Sequence, residues 1–170
     1  INDIKQSFRL YPLCLQFVVY LFSLSVIKAM PPNEMSLAEI NIIGELANAH
    51  EGDRQSAVQM VSSISNSVDA VKLQIFTADD LAVESHENYE LYQKLSRSTD
   101  DINTIAEAAR ENDLYLLADI LGKEGLNKIV EANVDGFKIH SSDLTNFELI
   151  EKIAQYEKPT IISAGGVTPV

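Results

Sequence analysis

Two short segments of the chain repeat one pattern. Asp69-Ala70-Val71-Lys72-Leu73-Gln74 and Asp135-Gly136-Phe137-Lys138-Ile139-His140 each run acid, two apolar or small residues, lysine, apolar, polar. In both, the lysine stands inside a run that reads as a buried strand, where near-continuous apolar sequence is the norm for parallel sheets. Alternation puts Lys72 on one face with Ala70 and Gln74, and Lys138 on one face with His140. An ammonium in such a place is costly unless it is paired. Two of them pointing inward suggest a shared anion, a phosphate or a carboxylate. The alternative is that each lysine neutralises a nearby acid or reaches outward along its own stem.

Three acids fall at the C-terminal ends of expected strands: Glu45, Asp119 and Asp143. Barrel enzymes place their catalytic groups there. Acids in such loops also cap the next helix. Asp143 is ambiguous on this count, because it precedes Thr145 and Asn146. Glu45, in Gly-Glu-Leu-Ala-Asn-Ala-His-Glu-Gly-Asp, is not: the cap of the following helix is expected at Asp53. Ser141, Ser142 and Ser163 follow the fourth and fifth strands, where hydroxyls can hold phosphate oxygens, as can the amides of Gly165 and Gly166. His50, His86 and His140 show no helical metal-ligand spacing. No Ser–His–Asp order stands out, and only His140 shares a strand face with a candidate residue.

The elements that position these residues alternate. Strands are expected at 38–45, 69–76, 114–117, 136–140 and 159–163. Between them lie four helices, capped by Asp53, by Ser98 or Thr99, and by Thr145 or Asn146, with the third marked by Leu126, Ile129 and Val130. Strand and helix in alternation mean a parallel sheet of βαβ units. There is neither a dinucleotide fingerprint nor a Walker loop. Residues 36 to 170 supply about half of a closed (β/α)8 barrel of roughly 250 residues, so the expected fold class is α/β, a partial TIM barrel. Residues 77–97 read as one long loop on the face that carries the site.

Composition narrows the function. Thirteen Lys and Arg against 25 Asp and Glu leave a net charge of -12, which argues against non-specific nucleic-acid binding. A few local lysines can still dominate an anion pocket. Cys14 is the one cysteine, so an internal disulfide is excluded, and a reducing, cytoplasmic setting is expected. Residues 12–28 form an apolar stretch after Lys5 and Arg9, short for a membrane span. Residues 1–35 are expected to be an extension outside the barrel: an anchor or signal, a docking segment, or sequence upstream of a start at Met30 or Met35. A membrane role is not the favoured reading. Both ends of the chain look cut.

Taken in order, Gly44–Asp53, Asp69–Phe76, Asp135–Asn146 and Lys158–Gly166 resemble the N-terminal barrel of the sialic acid synthase (N-acetylneuraminate synthase) family, from about residue 40 to 168. The resemblance implies a transferase that joins phosphoenolpyruvate to an N-acyl amino sugar and releases phosphate. It also implies a divalent metal, manganese or magnesium, that polarises the sugar aldehyde, and a homodimer for the full-length protein. Lys72, Lys138, Ser141 and Ser163 match positions that hold phosphoenolpyruvate, and Asp119 falls in the same substrate-binding set. Glu45 and Asp143 match acids assigned to the acceptor sugar and the attacking water.

Four departures accompany the match. Ala118-Asp119-Ile120-Leu121 stands where the family has Ser-Thr-Pro-Phe, Leu46-Ala47 replaces Ile-Gly, and Ala164-Gly165-Gly166 replaces Thr-Gly-Met. The metal-binding histidines and the antifreeze-like domain fall beyond residue 170. The chain by itself is therefore expected to be inactive. Two other readings stand beside this one: a different phosphate-binding barrel lyase, an aldolase with Lys138 as Schiff-base nucleophile, and a non-catalytic degenerate fragment.

Overall fold

The computed structural model describes residues 40–129 and 132–165. The apolar stretch 12–28, the rest of the 1–35 extension, Val130 and Gly166 lie outside the described residues. Five parallel strands are ordered in space as in sequence: β1 (Ile43–Ala47), β2 (Ala70–Ile75), β3 (Tyr115–Ile120), β4 (Gly136–Ile139) and β5 (Thr160–Ile162). Sequential order with every neighbour parallel is the pattern of consecutive βα units curling into a barrel.

The helices explain the order. Asp53 caps α1 (Arg54–Ile64), its Oδ1 accepting from Ser56 N at 2.6 Å, and the helix buries Ala57, Val61 and Ile64. Ser98 caps α4 (Thr99–Glu111) reciprocally with Asp101, and Ile102, Ile105, Ala106 and Ala109 face inward at helical spacing. The third expected helix is α5 (Gly122–Ile129). A side chain at Gly125 would meet Ile75 O at 2.5 Å, so glycine is what lets α5 approach β2. Asn146 caps α6 (Phe147–Ala154), which buries Leu149 and Ile153. Packed against the strand residues Val71, Leu73, Ile75, Leu116, Ala118, Ile120, Phe137 and Ile139, these helices form one continuous apolar core.

The acids that open the two repeated segments have a common task. Asp69 Oδ2 accepts from the amides of Asn41 and Ile42 at 2.8 Å each, and Asp135 Oδ2 accepts from Leu116 N at 2.7 Å. Each carboxylate pins its own strand to the strand before it.

Two expectations are corrected. Residues 77–97 are not one long loop: they hold α2 (Ala78–Leu81) and α3 (Tyr89–Leu95). Local and tertiary bonds together stabilise this segment. Asp80 Oδ2 accepts from Thr77 N at 2.8 Å, a local cap of α2, and also from Gly125 N at 3.0 Å, clasping α2 to the start of α5. Lys128 donates to Phe76 O at 3.1 Å and Ser96 Oγ at 2.6 Å. The third strand also runs past Leu117 to Ile120, so Asp119 is paired in the sheet close to the strand's C-terminal end.

Candidate functional site

The other face of the sheet is built in layers. Ile43, Ala70 and Leu117 form a small apolar floor, with Ile40, Tyr115 and Ile161 packed against it. Above it, toward the C-terminal ends of the strands, stands a charged layer contributed by four adjacent strands: Glu45 from β1, Lys72 from β2, Asp119 from β3 and Lys138 from β4. In register, Glu45 lies beside Lys72 and Asp119 beside Lys138.

Asp119 is the centre of that layer. Its Oδ2 accepts from Lys72 Nζ at 2.8 Å and from Lys138 Nζ at 2.7 Å. Lys72 also pairs with Glu45. Asp119 is 0 % exposed and Lys72 4 %. Burial by itself pulls the Lys72 ammonium down, but the Asp119 and Glu45 carboxylates outweigh it, and the net displacement is upward. Asp119 Oδ1 is buried with no hydrogen-bond partner among the described residues. Two carboxylates and two ammoniums make the layer formally neutral.

Glu45 sits where β1 breaks register. A bulge lies between Glu45 and Ala47, and Ala47 takes a φ of 42°, the left-handed region that favours glycine. That conformation turns the Ala47 amide back to Glu45 Oε1 at 3.1 Å, which orients the carboxylate. Ala47 thus carries a side chain through a left-handed turn.

The remaining predicted residues follow β4 and β5. Ser141 and Asp143 lie in a single 3-10 turn after β4. Asp143 serves that turn: Asn146 Nδ2 donates to its Oδ1 at 3.1 Å, and Ser142 Oγ reaches its Oδ2 at 3.4 Å. Ser163 follows β5 and donates its amide to Ile139 O at 3.1 Å. Among the described residues, no direct hydrogen bond or ion pair joins Ser141, Asp143 or Ser163 to either lysine. His140 bonds Ser142 within the same turn, with Nδ1 and Oγ 3.1 Å apart.

Sequence reasoning passed over a second buried polar group. His50 is 1 % exposed in the β1–α1 turn, and its Nδ1 accepts from Gly52 N at 3.0 Å. Its proton therefore sits on Nε2, which has no partner among the described residues. Burial, reinforced by the Arg97 guanidinium, pushes the imidazole down to about 4. Arg97, itself buried, ties this turn to the end of α3 through Gly52 O at 2.5 Å, Leu95 O at 3.0 Å and Lys94 O. The signal was thin: one arginine before a helix cap.

A divalent cation does not fit the charged layer as it stands, since both of its carboxylates already face ammoniums. Among the described residues no cluster of three or more His, Cys, Asp or Glu could hold a metal. No described helix is long and apolar enough to cross a membrane.

The fold and this layer define a class: the first βα units of a (β/α)8 barrel with a charged inner ring beneath the mouth. The comparisons narrow the class. A model of the NeuB family matches residues 60–169, and the chain belongs to that family. It is 31% identical over 142 residues to the pseudaminic acid synthase of Helicobacter pylori, covering 75% of this chain and 42% of the relative. It is 30% identical over 139 residues to the N,N'-diacetyllegionaminic acid synthase of Legionella pneumophila, covering 73% and 39%. The chain spans about two fifths of the length of these relatives. In fold it is similar to an N-acetylneuraminic acid synthetase of Leptospira borgpetersenii, with a TM-score of 0.70 at 23% identity over 80% of this chain and 51% of that one. A truncated 3-deoxy-D-arabino-heptulosonate 7-phosphate synthase of Thermotoga maritima gives a TM-score of 0.56 at 18% identity, covering 79% and 46%.

Proposed function

We propose that the protein to which this chain contributes is a sugar-acid synthase that condenses phosphoenolpyruvate with an N-acyl amino sugar. Membership of the NeuB family supports the synthase reading, and the paired lysines on the inner face carry the choice of an anionic donor. In this reading Lys72 and Lys138 grip the donor anion, with the hydroxyls of Ser141 and Ser163 above them. Carbon 3 of the donor attacks the open-chain aldehyde of the sugar. Water then adds at carbon 2, and phosphate leaves the tetrahedral centre. Glu45, oriented by the Ala47 amide, and Asp143 handle protons of the sugar and the water at the mouth. The resemblance implies a divalent cation for such a reaction, and among the described residues no group of three or more His, Cys, Asp or Glu could hold one. The chain alone is expected to bind donor without turning it over.

A Schiff-base aldolase is the weaker reading. An imine-forming lysine must be neutral to attack, whereas both ammoniums here are held by carboxylates. Titration of the chain with phosphoenolpyruvate, followed by calorimetry, tests the proposal. Lys72→Ala and Lys138→Ala should each abolish the binding seen for the parent chain; binding that survives both substitutions would sink it.

A further inference from the structure

The charged layer holds two cations aimed at one place, and that place is already filled. Both Lys72 Nζ and Lys138 Nζ converge on a single atom, Asp119 Oδ2, at 2.8 and 2.7 Å. A phosphate or carboxylate oxygen bridging two ammoniums would occupy the same position at the same distances. Glu45 adds a second negative charge against Lys72. A dianion entering beside this set would leave a net charge of about -2 in a layer whose central residues are almost fully buried, an arrangement that interior electrostatics penalises steeply. Asp119 Oδ1 has no hydrogen-bond partner among the described residues, so the two bonds of Oδ2 to the lysines are what fix its carboxylate by hydrogen bonding.

We propose that Asp119 is a built-in occupant of the anion seat, a specificity-determining carboxylate that competes with phosphate-class ligands for Lys72 and Lys138. The inference rests on the donor-anion reading above and deepens it. An entering phosphate must displace the Asp119 carboxylate, so affinity for free dianions is low. The residue thereby sets which anions the inner face accepts and how tightly. Asp119→Asn keeps the size and an acceptor oxygen but leaves the layer with one surplus positive charge, which an external anion then satisfies.

The probe is inorganic phosphate, with chloride at matched ionic strength as the control, titrated against the full chain by calorimetry. Asp119→Asn should bind phosphate about tenfold tighter or more than the parent chain, and Lys138→Met on the Asp119→Asn background should cancel the gain. If Asp119→Asn binds phosphate no better than a parent chain whose own binding needs both lysines, the counter-ion inference is overturned and the donor-anion reading stands. Absence of phosphate binding in both proteins overturns the two together. Should Asp119→Asn fold poorly, urea midpoints decide instead. Phosphate should raise the midpoint of Asp119→Asn more than that of the parent chain, whereas equal shifts would refute the proposal.

Discussion

The two faces of the same five strands obey different rules. Leu73 points to the helices and joins the apolar core; Lys72, one residue earlier on β2, points to the inner face and meets two carboxylates. On the helix side the requirement is volume, since close packing decides the energy there. On the inner side the requirement is charge count: each ion is tolerated because the layer sums to zero. A sheet can therefore drift in sequence on one face by conserving size and on the other only by conserving charge.

The sharpest way to break that comparison is to put the same residue at both positions. Lys72→Met is expected to cost about 3–5 kcal/mol, because it strands Glu45 and halves the compensation of Asp119. Leu73→Met conserves volume and is expected to cost under about 1.5 kcal/mol. Urea denaturation measures both, and comparable losses would show that volume rules both faces. The pH dependence gives a second reading of the same pair. The Lys72 ammonium is raised in the fold above its ordinary value of 10.5, so its contribution is complete below pH 10.5 and fades as pH climbs through the raised value. Lys72→Met should flatten the alkaline limb of stability against pH; Leu73→Met should leave it unchanged.

His50 is the counter-example to Lys72, a buried base without an acid at bonding distance. Its folded value of about 4 lies below the ordinary 6.5. Above pH 6.5 the imidazole is neutral in both states. As pH falls from 6.5 toward 4 the unfolded chain takes up a proton that the fold refuses, and stability drops. The shift corresponds to roughly 3 kcal/mol. His50→Gln should shrink the stability difference between pH 7 and pH 4 by about that amount in thermal or urea melts. An unchanged difference would mean that the imidazole finds solvent or a partner on charging.

How much of this was legible in the sequence follows from the same division. Period two placed Lys72 with Ala70 and Gln74 on the inner face, and because capping is local the cap at Asp53 was visible and those at Ser98 and Asn146 were each one of two neighbouring candidates. The role of Asp119 was not visible. It depends on β3 continuing past Leu117 and on two other strands lying at the correct register, both long-range facts. Asp143 was ambiguous in the sequence, and the local half of that ambiguity is visible in the fold: Asn146 and Ser142 bond it within its own turn. The helices in 77–97 are short, and beyond the local Thr77–Asp80 cap the segment is held by bonds of Asp80, Lys128 and Arg97 to residues distant in sequence.

The smallest expected effect tests whether the two faces are energetically separate. Ser98 lies on the outer layer, its Oγ accepting from Asp101 N at 3.1 Å, while the Asp101 carboxylate returns to Ser98 N at 3.3 Å. Ser98→Ala removes one half of this reciprocal cap and should cost about 1 kcal/mol. It touches no residue of the charged layer, and α4 packs into the apolar core on the opposite face of the sheet. Phosphate affinity should therefore stay at the parent value while the urea midpoint falls. A loss of affinity together with stability would mean that the charged layer depends on the first turn of α4, and the division of the sheet into a packed face and a charge-balanced face would then fail as a description of how this chain binds.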